Sequence, residues 1–307
     1  MDWKSDIDAA AARIEGHVVR TPLLDVNGPG LHSPVQLKLE QMQHTGSFKA
    51  RGAFNTLLGE PVPDAGLVAA SGGNHGAAVA HAAHRLGHAA HIFVPEMAGA
   101  SKIALIRATG AELTVVPGDY ANALHLAQEY EARTGAKQIH AYDAPATVAG
   151  QGTCMREWEA QGLAADTVLI AVGGGGLIAG ALAWLAGRRK VVAVEPETSC
   201  ALHAALAAGE PTDVEVSGVA ANALGARRIG SICLDLAQRH LGASVLVSDD
   251  AISSAQRTLW RNNRQLVEPA GATALAALMS GAYRPEAGET VAVLVCGGNI
   301  APDPFPE

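Results

Sequence analysis

Two stretches of this sequence hold residue types that can do chemistry. In Thr45-Gly46-Ser47-Phe48-Lys49-Ala50-Arg51-Gly52-Ala53, a lysine sits in a Gly/Ser turn that opens an apolar helix. The positive end of a helix and a nonpolar neighbourhood both disfavour a second positive charge, so both lower the amine's pKa and free it as a nucleophile or base. Alone, such a lysine is usually a solvated surface charge. The other stretch is Gly173-Gly174-Gly175-Gly176, which follows the apolar run 167–172 and precedes an apolar helix. That order presents bare backbone N–H groups at a positive helix end, a site suited to phosphate. A tight strand-to-helix turn is the simpler explanation, but four consecutive glycines weaken the backbone more than a turn requires. The spacing excludes the common nucleotide readers. G-x-G-x-x-G needs a glycine at 178 or 179, where Ile178 and Ala179 stand, and no G-K-[ST] follows.

The elements around these stretches alternate. The stretches 37–39, 67–70, 90–94, 113–116, 167–172, 191–194 and 291–295 read as short buried strands. Alanine-rich segments at 76–85, 102–109, 120–134 and 177–186 have helix composition. Such alternation predicts an α/β protein whose parallel sheets are covered by helices. Glycine loops close three of the strands: Ser71-Gly72-Gly73-Asn74-His75 after 67–70, the tetraglycine after 167–172, and Cys296-Gly297-Gly298-Asn299 after 291–295. Ligands of open parallel sheets bind at the carboxyl ends of strands, so the three loops predict one shared site.

Bulk properties narrow the function class. The 307 residues are 49% hydrophobic and 17% charged, enough for two compact lobes. A formal charge of -8 argues against a nucleic-acid surface, which needs a basic face. Cys154, Cys200, Cys233 and Cys296 lie far apart without a C-x-x-C pair and read as thiols in a reducing compartment. No secretory h-region and no membrane-length apolar run is visible, so a cytoplasmic location without membrane contact is expected. His81, His84 and His88 are spaced for one helix face, but no carboxylate accompanies them and a solvated face is expected. The proline-rich end, 301–307, reads as a chain terminus.

The motifs together resemble a known family. Lys38-Leu39-Glu40 followed by T-G-S-F-K-A-R-G-A is similar to the Schiff-base segment of the threonine/serine dehydratases and serine racemases, pyridoxal-phosphate enzymes of fold type II. S-G-G-N-H, the A-G-Q-G-T run 149–153, G-G-G-G-L, the V-E-P-A-G-A run 267–272 and C-G-G-N follow in the family's order and span nearly the whole chain. The resemblance implies two open twisted parallel sheets of the tryptophan-synthase-β-like kind. Residues 1–65 and 143–307 form a large cofactor-binding domain, and 66–142 a small inserted one.

It also implies roles. Lys49 carries pyridoxal 5'-phosphate as a Schiff base and shuttles the Cα proton. Gly173, Gly174, Gly175, Gly176 and Leu177 bind the phosphate, Asn74 the ring hydroxyl, and Phe48 flanks the ring. Cys296 stands opposite the pyridine nitrogen, where a thiol is a weak partner that leaves the cofactor a moderate electron sink. By its own residue type Cys296 is also a small buried hydrophobe at a strand end. Ser71, Gly72, Gly73, Asn74 and His75 hold the substrate carboxylate. The reaction implied is β-elimination of water from L-threonine or L-serine, ending in a 2-oxo acid and ammonia, by a homodimer. Absence of a C-terminal regulatory domain implies a catabolic enzyme indifferent to isoleucine.

Departures from the family open alternatives. Ala221-Asn222-Ala223 replaces the usual Ala-Asp-Gly, and loss of a carboxylate puts a divalent cation in doubt, so no metal is assigned. Gly72 stands where racemases carry a second serine. The rivals are a serine racemase, a hydroxyaspartate dehydratase, or a catalytically silent cofactor-binding regulator. A synthase using O-acetylserine fits less well, because the block reads S-F-K-A-R-G rather than S-x-K-D-R.

Overall fold

The computed structural model describes residues 1–300 apart from 29, 32, 72, 97, 99 and 119, so the proline-rich end lies outside the described residues. Among the described residues, ten strands build two sheets: β1 (Leu23–Val26), β2 (Val35–Leu39), β3 (Leu67–Ala70), β4 (Ala90–Pro95), β5 (Glu112–Val116), β6 (Lys137–Gln138), β7 (Thr167–Ala171), β8 (Lys190–Pro196), β9 (Ala243–Val247) and β10 (Val291–Val295). The six-stranded sheet runs β1-β2-β10-β7-β8-β9, and the four-stranded sheet β5-β4-β3-β6. Every pairing is parallel except β1 with β2. The fold is therefore mixed α/β with helices over parallel sheets, as the alternation predicts.

Strand order explains why distant loops meet. β10 lies between β2 and β7, with Val295 opposite Leu39 on one side and Leu294 opposite Ile170 on the other. The three strands point the same way, so the chain leaves all of them at one edge of the sheet. Those exits lead to the lysine segment, the C-G-G-N loop and the tetraglycine loop. The four-stranded sheet supplies the fourth loop, after β3.

The cores follow from side-chain alternation. On β3, Leu67 and Ala69 join a cluster with Ile92, Val94 and the helix Asn74–Leu86. Val68 and Ala70 face the opposite side, with Phe93, Val116 and Ala127. The helix Lys49–Gly59 sends Ala50, Ala53, Phe54 and Leu57 into the first of these clusters. Helix Gly176–Leu185 is buried on every side in the large core, and its sequence is apolar all round.

One expectation needs correction. His81 does not lie on a solvated face: it is half-buried, its ring 5.0 Å from that of His44 and edge-on to Phe54 at 5.9 Å. The helix Asn74–Leu86 packs against the helix Lys49–Gly59 and the 44–46 turn, and residue 81 falls on that side. His84 is exposed, and Gly87 caps the helix at φ 75°. Among the described residues, no group of three or more His, Cys, Asp or Glu could hold a metal. Asn222 is exposed on the short helix Ala221–Leu224. No helix among the described residues is long and apolar enough to cross a membrane.

Candidate active site

Lys49 is the first residue of its helix, preceded by a turn in which Thr45 takes φ 58°. A left-handed threonine is strained, and surrounding contacts hold it there. Phe48 N–H donates to the Cys296 carbonyl at 3.3 Å, Gly298 N–H to the Gly46 carbonyl at 2.9 Å, and Asn299 Nδ2 to the Thr45 carbonyl at 2.7 Å. The lysine segment is thus laced to the loop after β10. Lys49 Nζ donates to the Ala141 carbonyl at 2.7 Å and lies 5.1 Å from the Phe48 ring centre. Burial pushes the Lys49 pKa down to about 8.

The glycine loop is shaped by its neighbours as well as by its own freedom. Gly175 takes φ 92°, a conformation other residues rarely adopt. A Cβ on Gly174 would run into the Tyr142 ring. The first N–H of the helix Gly176–Leu185 to find a partner inside the turn is that of Ala179, on the Gly175 carbonyl at 2.8 Å. The N–H groups of Gly176, Leu177 and Ile178 therefore point out of the helix end, where an anion is favoured.

Asn74 begins its helix with a fixed side chain: Nδ2 donates to Glu268 Oε1 at 2.5 Å, and Oδ1 accepts from Asn299 Nδ2 at 2.9 Å. Cys296 Sγ donates to the Ala270 carbonyl at 3.3 Å. Burial, and next the Glu268 carboxylate, push that thiol well above its ordinary range, so it stays protonated.

One cavity collects most of the sequence-predicted residues. Phe48, Lys49, Asn74, Gly173 to Gly176, Leu177 and Cys296 line it, with Glu268 and Ala223. Ser71, Gly73 and His75 do not line it. Ser71 Oγ accepts from Gly73 N–H at 3.2 Å. His75 is buried with Nε2 on the Ile139 carbonyl at 2.8 Å, and because a carbonyl only accepts, Nε2 carries the proton. Burial, and next the Lys49 charge, push the His75 pKa down to about 3, so the ring is neutral. Gly72 lies outside the described residues. Glu268 is the residue that sequence reasoning left without a role. Its signal was a carboxylate in an otherwise apolar block, just before the proline that opens the helix Pro269–Ser280.

This geometry fits a phosphorylated aldehyde cofactor. A glycine cradle that side chains would fill, forward-pointing N–H groups and a deprotonation-prone amine share one cavity. The family described as pyridoxal-phosphate dependent enzyme matches residues 14–297, and the chain belongs to it. The chain is 36% identical over 302 residues to phenylserine dehydratase of Ralstonia pickettii, covering 96% of this chain and 92% of that one. It is 33% identical to L-threonine ammonia-lyase of Thermotoga maritima, over 96% of this chain and 75% of that one. Among solved structures, a T.th. threonine deaminase superposes with TM-score 0.90 at 35% identity, covering 98% of this chain and 99% of that one. Maize serine racemase superposes with TM-score 0.91 at 29% identity, over 97% and 94%.

Proposed function

We propose that this chain is a lyase that removes water and then ammonia from L-threonine, L-serine or both, giving 2-oxobutanoate or pyruvate. The observation that carries the reading is Lys49 held in the same cavity as the glycine loop, with its pKa brought down to about 8. Pyridoxal phosphate, when bound, supplies the electron sink that makes the substrate Cα–H acidic. Lys49 is the group placed to move that proton, and its lowered pKa keeps a useful fraction of the amine unprotonated near neutral pH. The N–H groups of Gly176, Leu177 and Ile178 would hold the cofactor's phosphate. Asn74, pinned between Glu268 and Asn299, would present a fixed amide to the cofactor ring. Cys296, its thiol kept protonated, would offer the ring nitrogen only a weak neutral S–H partner, neither a cation nor a carboxylate.

The two-sheet topology supports reading residues 66–142 as a small domain, since its sheet uses only residues 67–138. A homodimer acting in amino-acid catabolism in the cytoplasm completes the reading. A second substrate class, 3-aryl-3-hydroxy amino acids, is favoured by the 36% identity to a phenylserine dehydratase. The test is release of 2-oxo acid from L-threonine, L-serine and 3-phenylserine, with D-serine followed in parallel. A yellow protein that yields no oxo acid from any of them would revive the silent regulator.

A further inference from the structure

The chain returns from β6 to the helix Pro145–Ala160 through a short connection, and three consecutive residues of it touch three separate parts of the site. Ala141 gives its carbonyl to Lys49 Nζ at 2.7 Å. Tyr142 lies along the glycine loop: its ring blocks any Cβ on Gly174, and its Cα would stand 3.0 Å from one on Gly176. Asp143 accepts from Ser231 N–H at 3.0 Å and Ser231 Oγ at 2.9 Å on one oxygen, and from Ile232 N–H at 3.0 Å on the other.

Those bonds close the N-terminus of the helix Ser231–His240, which has no side-chain cap of its own. The capped segment is the back wall of the glycine loop. Gly230 N–H donates to the Gly174 carbonyl at 3.2 Å. Cys233 Sγ would stand 2.5 Å from a Cβ on Gly175. A side chain at Gly230 would push on the same carboxylate, because Asp143 Oδ1 lies 2.8 Å from where its Cβ would be.

We infer that Asp143 is a positioning residue for the glycine loop, and that with Tyr142 it sets where the loop stands relative to Lys49. A carboxylate taking three donors at a helix end locks that end far better than solvent does. The lock holds Gly230 and Cys233 against one side of the loop while Tyr142 backs the other. The inference rests on the loop binding the cofactor phosphate.

The experiment titrates the apoprotein with pyridoxal phosphate and, separately, with pyridoxal, which lacks the phosphate. Asp143→Ala should weaken pyridoxal phosphate roughly tenfold or more, the scale of a lost charge-assisted hydrogen bond, and leave pyridoxal nearly unchanged. Asp143→Asn, which keeps an acceptor, should fall between and also serves if the alanine variant misfolds. Equal weakening of both ligands, or a lower melting temperature with the phosphate preference intact, would show a purely structural role and overturn the inference. A wild-type protein with no preference for the phosphorylated ligand would remove the loop's reading itself, and this inference with it.

Discussion

Arg51 forks onto Glu40, Nε to Oε2 at 2.8 Å and Nη2 to Oε1 at 2.7 Å, two residues beyond the lysine that serves the site. Both side chains are fully buried. Arg51 also reaches Glu157 at 3.1 Å, and Lys38 Nζ joins Glu157 at 2.5 Å and the Thr21 carbonyl at 2.9 Å. This network ties the first turn of the lysine helix to the end of β2 and to the helix Pro145–Ala160. Burial alone would raise the Glu40 carboxyl, but the Arg51 charge and hydrogen bonds, then Lys38, outweigh it and hold its pKa below the ordinary value.

Removing Arg51 should therefore be costly, because it takes from the buried Glu40 charge its paired hydrogen bonds and leaves only the more distant Lys38 to offset it. Arg51→Met is expected to lose about 3–5 kcal/mol of stability in urea unfolding of the apoprotein. Arg51→Met with Glu40→Leu should recover part of that loss, since neither charge then remains buried alone. The sign with pH follows from the depressed pKa: the contribution of Glu40 is present above the unfolded value of 4.5 and fades as pH falls through the lower folded one. A double variant less stable than the single one would mean that the pair itself, not the stranded charge, sets the cost.

Lys49→Ala should fold, bind the cofactor without the visible absorbance of a lysine-bound form, and lose nearly all turnover. In the wild-type apoprotein the Lys49 amine should titrate near pH 8, against the ordinary 10.5. Rates of labelling by an amine reagent, read at this residue by peptide mass spectrometry, give that midpoint. Because the folded state binds this proton more weakly than the unfolded one, Lys49 makes stability rise with pH between 8 and 10.5. A labelling midpoint above 10 would remove burial as the activating force.

How much of this was legible depends on burial. β3, β4, β7, β8 and β10 are buried nearly throughout and stand out as largely apolar runs, with His91 the one polar residue inside the run of β4. The edge strands β1 and β6 are mostly half-buried and carry no such run, and β9, also mostly half-buried, holds only the short Val245-Leu246-Val247. β5 is an edge too, yet its Thr114-Val115-Val116 is β-branched enough to show. In the cavity, Lys49, Asn74, the glycines and Cys296 were legible because each closes or follows a strand. Tyr142, Asp143 and Glu268 were not, because their importance lies in contacts with Gly174, Ser231 and Asn74, residues 32, 88 and 194 positions away, which no local pattern encodes.

Gly174→Ala tests the close approach of Tyr142 directly. The added methyl has no room, so the loop or the ring must move. Overpacking of this kind costs about 1–3 kcal/mol, and here it should also weaken pyridoxal phosphate more than pyridoxal. Combining it with Tyr142→Ala, which vacates the space, should restore stability in part. A Gly174→Ala protein as stable as wild type, with unchanged cofactor affinity, would show that the loop adapts freely.

The choice between elimination and racemisation turns on Gly72. Racemisation needs a proton donor and acceptor on opposite faces of Cα, one to remove the proton and one to return it. Lys49 is the group proposed above for one face. In the racemases that this chain resembles, the other is the second serine of the S-S-G-N-H loop, and here that position is glycine, with no side chain to donate. Elimination makes no such demand, because the β-hydroxyl leaves after a single proton removal. L-serine should therefore give pyruvate with negligible D-serine, despite the structural likeness to maize serine racemase. Gly72→Ser should add measurable racemisation, provided the loop accepts a side chain there. Chiral chromatography of an L-serine incubation, timed against pyruvate release, decides between them. D-serine accumulating as fast as pyruvate in the wild-type enzyme would show that a group other than residue 72 serves the second face.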